Sequence, residues 1–323
     1  MESTIPQRIA VVTGSNKGIG LEICRQLLSK GVKVVLTARD EERGIAAVKK
    51  LQESGASDVV FHQLDVADVS SAEALGKFIQ TQFGKLDILV NNAAVSGAEI
   101  EPQALTLSNQ PGEGAFPSFL DMTLETHEKA EECININYYG TKRMCKVFIS
   151  LLQLSQAPKI INLSSGYGKL KCIPGEAIRK EIANINYLTE ERLDALVESF
   201  LNDFKEEKHK ENGWPTRPSA YKVSKAALSA YTRILAKEHP TICTNCVDPG
   251  LVKTDINWNT GTRTVEEGAK GPVMLALLSD DCPSGLFYCQ TEVSSFETFK
   301  LMGHTYFLHE ISLFILLNYI WLK

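Results

Sequence analysis

Four tyrosines in this chain stand four residues ahead of a lysine: Tyr138/Lys142, Tyr167/Lys171, Tyr221/Lys225 and Tyr319/Lys323. On a helix, residues at this spacing share a face, so the pair brings an ammonium beside a phenol. A free tyrosine titrates near about 10. A neighbouring cation favours the phenolate and moves the group toward the range where it can act as an acid or base at neutral pH. Tyr167/Lys171 sits among Gly166, Gly168 and Pro174, a setting hostile to a helix. Tyr221 heads an uninterrupted helical run whose apolar face is Ala226, Ala227, Ala230, Ile234 and Leu235. Tyr138/Lys142 also permits a helix, and Tyr319/Lys323 belongs to an atypical terminal stretch.

A second chemistry-bearing stretch is TGSNKGIG, residues 13–20. Gly14, Gly18 and Gly20 let the backbone turn sharply and approach a pyrophosphate, while Asn16, Lys17 and Ile19 complete a turn that opens a helix. That helix start offers free N–H groups and a partial positive charge. At the end of the next apolar run, where an acid would accept from the ribose hydroxyls of NAD, the chain reads VVLTARD, so Arg39 comes first. Arg39 and Lys17 together suit a 2′-phosphate, and NADP(H) is the expected cofactor.

The elements that must hold these residues follow from patterning. Short runs, mostly apolar or β-branched, at Ile9–Thr13, Lys33–Thr37, Val59–Gln63, Ile88–Asn91, Ile160–Ser164 and Thr244–Val247 read as strands covered on both faces. Amphipathic stretches alternate with them, among them Ile19–Lys30, Glu41–Ser54 and Ser71–Phe83. The expectation is an α/β fold, a doubly wound parallel sheet of Rossmann type, in one domain over residues 1–296. Two stretches interrupt the alternation. Gly97–Thr123 is rich in Gly, Pro, Ser and Gln and reads as a long surface loop. Residues 171–218 read as a helical insertion, in which Thr189 is an N-cap followed by Glu190 and Glu191.

Composition narrows the partners. With 34 basic against 39 acidic residues the chain has no broad positive field for nucleic acid. The opening MESTIPQRIAVV lacks the features of a signal or transit peptide, so the expected compartment is cytoplasmic. The tail, 297–323, ends in ISLFILLNYIWLK, shorter than the roughly 18–20 apolar residues that span a bilayer. It reads as an accessory helix or an artefact of the predicted coding sequence, and a membrane anchor is not expected. Eight cysteines are too few for a disulfide framework. Cys243 and Cys246, formally C-x-x-C, lie in a strand without a second pair or metal-spaced histidines, and they read as small apolar strand residues with reduced thiols. No metal site is expected.

TGSNKGIG, then LDV at 64–66, NNA at 91–93, NYYG at 137–140, NLSS at 162–165, YKVSK at 221–225 and PGLVKT at 249–254 occur in the order found in the short-chain dehydrogenase/reductases. Within that family the chain most resembles the plant carbonyl-reductase-type monomers, the menthone/neomenthol and salutaridine reductases, from about Ile9 to Phe296. The resemblance implies that Asp65 and Val66 flank the adenine, Asn91 the ribose, and Pro249, Val252 and Thr254 the nicotinamide and pyrophosphate. It makes Tyr221 the proton donor and Ser165 the group that polarises the substrate carbonyl. Lys225 would hold the nicotinamide ribose, and Asn137 a water that relays protons to it. Tyr138/Lys142 is set aside, since it follows Asn137 directly and precedes the strand that supplies the serine. One departure is Ala94, where the family usually has glycine. The insertion would cover the face by which other members dimerise, leaving a monomer, and with the 97–123 loop would wall the substrate pocket. The implied reaction is NADPH-dependent reduction of a hydrophobic, cyclic ketone of the menthone or alkaloid type. Two further readings share these motifs: a broad carbonyl or quinone reductase, and an NADP(H)-binding regulatory module without turnover.

Overall fold

The computed structural model describes residues 7–100, 123–279 and 281–297. The first strand, β1 (Ile9–Val12), is buried at every residue. It pairs in parallel with β2 (Lys33–Ala38) on one side and β4 (Ile88–Asn91) on the other. Helix α1 (Gly18–Leu28) returns the chain from β1 to β2, and α2 (Glu41–Glu53) leads to β3 (Val59–Gln63). Helix α2 starts where the Asp40 carboxylate accepts from Arg43 N at 2.9 Å, and α3 (Val69–Phe83) stops at Gly84, whose φ of +74° suits a residue without a side chain.

Beyond β4 lie a two-residue ribbon, β5 (Glu99–Ile100) with β6 (Thr123–Leu124), then α4 (His127–Ile134), a π-helical turn (Asn135–Gly140) and α5 (Thr141–Leu152). Strand β7 (Lys159–Leu163) is followed by two insertion helices, α6 (Glu176–Ala183) and α7 (Glu190–Lys205). The long α8 (Ser219–Glu238) then feeds β8 (Cys243–Asp248), and α9 (Val265–Ala276) leads to β9 (Phe287–Cys289) and β10 (Glu292–Ser294).

The main sheet runs β10-β9-β8-β7-β4-β1-β2-β3. All its pairings are parallel except the last, where β10 turns back on β9. The doubly wound expectation therefore holds, with an antiparallel edge that two three-residue strands were too short to announce. The strand order reverses between β1 and β4, and the crevice beyond their carboxyl ends is where such sheets take ligands. One apolar cluster packs α3, α4, α5, α7 and α8 on one face, and a second packs α1, α2 and α9 on the other.

The insertion holds two helices where patterning marked one. Thr189 caps α7 as expected, accepting from Arg192 N at 3.3 Å. Helix α7 docks through charge: Lys142 on α5 lies 2.6 Å from Asp194 and 3.1 Å from Glu190, and the Tyr138 hydroxyl donates to Asp194 at 2.8 Å. The reduced-thiol reading fails at Cys243. The structure joins it to Cys282 in a disulfide, with Cα atoms 6.2 Å apart, a pairing across 39 positions that no local motif marks. Cys246 stays a buried free thiol. Among the described residues no helix is long and apolar enough to cross a membrane. Residues 101–122 of the long loop, the tail from 298 onward and Tyr319/Lys323 lie outside the described residues.

Candidate active site

The chain ends of six parallel strands converge on one cleft of about 920 Å³. Gly14 follows β1, Arg39 follows β2, Asp65 and Val66 follow β3, and Asn92 to Ser96 follow β4. Ser165 comes from the end of β7, and Pro249 to Thr254 from the end of β8. Backbone geometry dictates the glycines at its floor. Gly14 has φ +60° and Gly18 φ +59°, and a Cβ on Gly20 would lie 2.5 Å from the Asn92 amide nitrogen and 2.8 Å from Ser15 Cα. The Ser15 hydroxyl ties the turn down, donating to Val12 O at 2.7 Å and accepting from Thr37 N at 3.1 Å. Helix α1 starts at Gly18 with no side-chain cap and no acid in its first turn. Its N–H groups face the cleft unspent, which is the donor set a pyrophosphate needs.

Two cations and two carboxylates meet at the rim beyond β2. Asp40 lines the cleft, but its carboxylate caps α2, while Arg39 beside it is an exposed cation at the same rim. Lys17 also lines the cleft, and its ammonium lies 2.5 Å from Asp255 on the loop after β8. Asp65, Val66, Asn16, Ile19, Pro249, Val252 and Thr254 all line the cleft, and so does Ala94. Asn91 does not. Its amide turns into the sheet, donating to Asn162 Oδ1 at 2.9 Å. Asn92 takes the cleft position, bonded to Thr13 O at 2.9 Å and Gly14 O at 3.0 Å. Strand alternation places only one of two adjacent residues on each face.

At the inner end Ser165, Tyr221 and Lys225 come together. Helix α8 is fastened along β7 by polar pairs: Ser164 Oγ to Ser229 Oγ at 2.7 Å, and Asn162 Nδ2 to Thr232 Oγ1 at 2.9 Å. Gly168 permits the approach, since a Cβ there would lie 2.7 Å from Lys225 O. The Lys225 ammonium donates to Leu163 O at 2.7 Å and lies 5.7 Å from the Tyr221 ring centre. Burial pulls Lys225 down to about 8, against the opposing pull of Cys133 and Asp248. Burial also pushes the Tyr221 phenol above its ordinary value, and Cys133 and Asp248 add to this while a hydrogen bond with Ser165 opposes it. Burial, not the neighbouring ammonium, therefore sets the direction of the shift, and the expected lowering by Lys225 is not seen. Asp248, not singled out in the sequence, lines the same end; it follows a strand directly, a position that carries functional residues in such sheets.

Asn137, only 1% exposed, is committed to the protein. Its oxygen accepts from Val95 N at 2.9 Å, and its nitrogen donates to Val95 O and Ser224 Oγ, both at 3.0 Å. Its side chain thus clamps the cleft wall to α8. The π-helical turn that holds it is the kind of helix irregularity found at functional sites. Of the expected pocket wall, Ala98 and Thr123 of the 97–123 loop line the cleft. Among the described residues of the insertion only Pro218 lines the cleft; its apolar wall comes from Val95, Ile136, Tyr167, Leu251, Ile256 and Trp258. The Tyr167 ring stands edge-on to Tyr221, 6.4 Å between centres.

Residues 8–177 match the profile of a family described as short chain dehydrogenase. A (+)-neomenthol dehydrogenase of Arabidopsis thaliana is 52% identical over 293 residues, 90% of this chain and 98% of that protein. The solved salutaridine reductase of Papaver somniferum superposes with a TM-score of 0.83 at 49% identity, covering 87% of this chain and 99% of that one. The menthone neomenthol reductase of Mentha piperita does so with a TM-score of 0.78 at 43% identity, over 89% of this chain and 100% of that one.

Proposed function

Because this chain belongs to the short-chain dehydrogenase/reductase family, oxidoreductases that act on alcohol and ketone groups with a nicotinamide cofactor, we propose that it reduces a hydrophobic cyclic ketone to a secondary alcohol with NADPH. The observation that carries the reading is the meeting of Ser165, Tyr221 and Lys225 at the inner end of a cleft floored by the glycine turn. The names of its relatives, a neomenthol dehydrogenase, a salutaridine reductase and a menthone neomenthol reductase, support a ketone of terpenoid or alkaloid type.

The cradle fits the cofactor. Gly14, Gly18 and Gly20 with the start of α1 would hold the pyrophosphate, Arg39 and Lys17 the 2′-phosphate, with Lys17 shared between that phosphate and Asp255, Asp65 and Val66 the adenine, and Lys225 the nicotinamide ribose. When bound, the nicotinamide supplies the hydride. Ser165 donates a hydrogen bond to the substrate carbonyl and withdraws charge from its carbon. Tyr221, like any phenol titrating near about 10, is protonated at neutral pH, and burial raises it further, so it is loaded to donate a proton to the forming alkoxide. The Lys225 ammonium faces the resulting phenolate, and with a value of about 8 it is itself able to exchange a proton near neutrality. The apolar wall of Val95, Tyr167, Leu251 and Trp258 offers a hydrocarbon ring a surface to pack against. Helix α7 packs across α4 and α8; by the family resemblance it would cover the face through which other members associate, so the working unit is read as a monomer of the cytosol.

The test is loss of NADPH absorbance by the purified protein against menthone, an alkaloid ketone and a quinone, with NADH in parallel. Turnover of a cyclic ketone, faster with NADPH, is expected. Equal turnover of quinones and simple aldehydes would replace this reading with a broad carbonyl reductase, and silence despite NADPH binding would replace it with a binding module.

A further inference from the structure

The helix that carries Tyr221 starts without a cap of its own. Its N-cap position is Pro218, which has no side-chain acceptor, so the first N–H groups of α8 need partners from elsewhere. They find one 94 residues back in the chain. Glu125, just past β6, accepts from Ser219 N at 3.0 Å and Ser219 Oγ at 2.7 Å through one oxygen, and from Ala220 N at 3.1 Å through the other. Both carboxylate oxygens are used, at the positive end of a 20-residue helix. Arg217 closes the same junction from the opposite direction, donating to Thr123 O at 2.9 Å. Ser219 and Ala220 are fully buried, so no water substitutes at those amides. Tyr221 is the next residue.

We propose that Glu125 is a positioning residue for the reaction: its carboxylate, bridging the Ser219 and Ala220 amides, fixes the height and rotation of the first turn of α8 and so the place of the Tyr221 hydroxyl against Ser165. The proposal rests on the reductase reading for the identity of the reaction. A proton donor works only within hydrogen-bond reach of its acceptor, and small misplacements by residues remote from the chemistry lower rates steeply. The junction also ties Tyr221 to the cleft wall, since Thr123 and Pro218 both line it. A substrate pressing on that wall bears on the same carboxylate that seats the acid.

The experiment uses the full chain with Glu125→Ala and Glu125→Gln, read by steady-state kinetics on a ketone the parent accepts and by amide hydrogen exchange over Ser219–Lys225 without cofactor. Glu125→Ala is expected to lower kcat by about 10- to 100-fold with KM and the NADPH Kd within about threefold. Exchange at the first turn of α8 should rise at least about tenfold. Glu125→Gln, which keeps one acceptor oxygen, should recover part of both. A folded Glu125→Ala with kcat within about twofold of the parent, whatever its melting temperature, overturns the proposal and leaves an ordinary structural cap. If Glu125→Ala does not fold, Glu125→Gln decides, and full-speed turnover with unchanged exchange overturns it. If the parent reduces no ketone, the reductase reading falls, and the exchange arm still decides: unchanged protection in both variants sinks the role given to Glu125.

Discussion

Tyr138/Lys142 and Tyr221/Lys225 share a spacing, a helical setting and a buried lysine, 7% and 3% exposed, and they differ in what stands opposite. Lys142 meets two carboxylates of α7, Asp194 and Glu190. Burial lowers its pKa, but those contacts outweigh burial and the net shift is upward, so the ammonium is locked on. Lys225 meets a backbone carbonyl at Leu163, burial prevails, and its value falls to about 8. The two tyrosines are both pushed up by burial. Only Tyr221 faces the cleft; the Tyr138 hydroxyl is spent on Asp194. A charged residue pair thus becomes an adhesive or a proton-transfer device according to whether carboxylates from a neighbouring helix complete it.

The largest test of this contrast removes one oxygen from each pair. Tyr221→Phe should lower kcat by about three orders of magnitude, the scale of a lost general acid, while NADPH binding measured by fluorescence stays intact. Tyr138→Phe should leave kcat within about twofold and cost about 1 kcal/mol in urea unfolding, the scale of one hydrogen bond. Comparable losses of turnover in both would break the division of labour.

A second test attacks the adhesive. Lys142→Met leaves Asp194 without its cation and Glu190 with Lys146 alone, at a largely buried contact where removal of one partner destabilises by about 3 kcal/mol. Turnover by the folded fraction should persist, since no atom of this cluster lines the cleft. A fall in kcat matching that of Tyr221→Phe would show that the insertion shapes the site after all.

Much of this was legible in local pattern. Strands covered on both faces, the glycine turn, Arg39 in place of an acid, and the helical run behind Tyr221 are signals carried by neighbours in sequence. What escaped depends on contacts between distant segments. Strand phase decides that Asn92 and not Asn91 reaches the cleft, and one position of phase is invisible in a four-residue run. Lys17 was read as a phosphate ligand, and its pairing with Asp255 needed the β8 loop to fold over the turn. Cys243 with Cys282, and Glu125 with the start of α8, are joined across 39 and 94 positions. Strands β9 and β10, at three residues each, are below the length at which alternation can be read.

A third test sharpens the electrostatic half of the contrast. The folded value of Lys225, about 8, lies below its ordinary 10.5, so between those values the unfolded chain binds more protons than the folded one. Stability from this group therefore rises with pH across that window and is at its lowest below about 8. Relative to Lys225→Met, the cofactor-free protein should gain about 2 kcal/mol between roughly pH 7.5 and 9.5, measured by urea unfolding at each pH. A difference that stays flat over this range would mean that Lys225 is as fully charged as Lys142, and the two pairs would lose their electrostatic distinction.

The smallest expected effect asks whether the adhesive region can be weakened without the site noticing. Thr189 caps α7 from its first turn, with Glu190 and Glu191 beside it. Thr189→Ala removes the acceptor for Arg192 N and should cost about 1 kcal/mol. Glu190, whose carboxylate reaches Lys142 and Lys146, sits in that first turn, so fraying there loosens the ion cluster before it reaches Asp194 one turn later. The cluster ends at Tyr138 on the π-helical turn, one residue from Asn137, which clamps Val95 and Ser224. If that turn is rigid, the midpoint of urea unfolding falls while kcat and KM hold. If kcat falls in step with the midpoint, the π-helical turn transmits strain from the docking cluster to the cleft wall, and the two Tyr/Lys pairs work as one coupled unit.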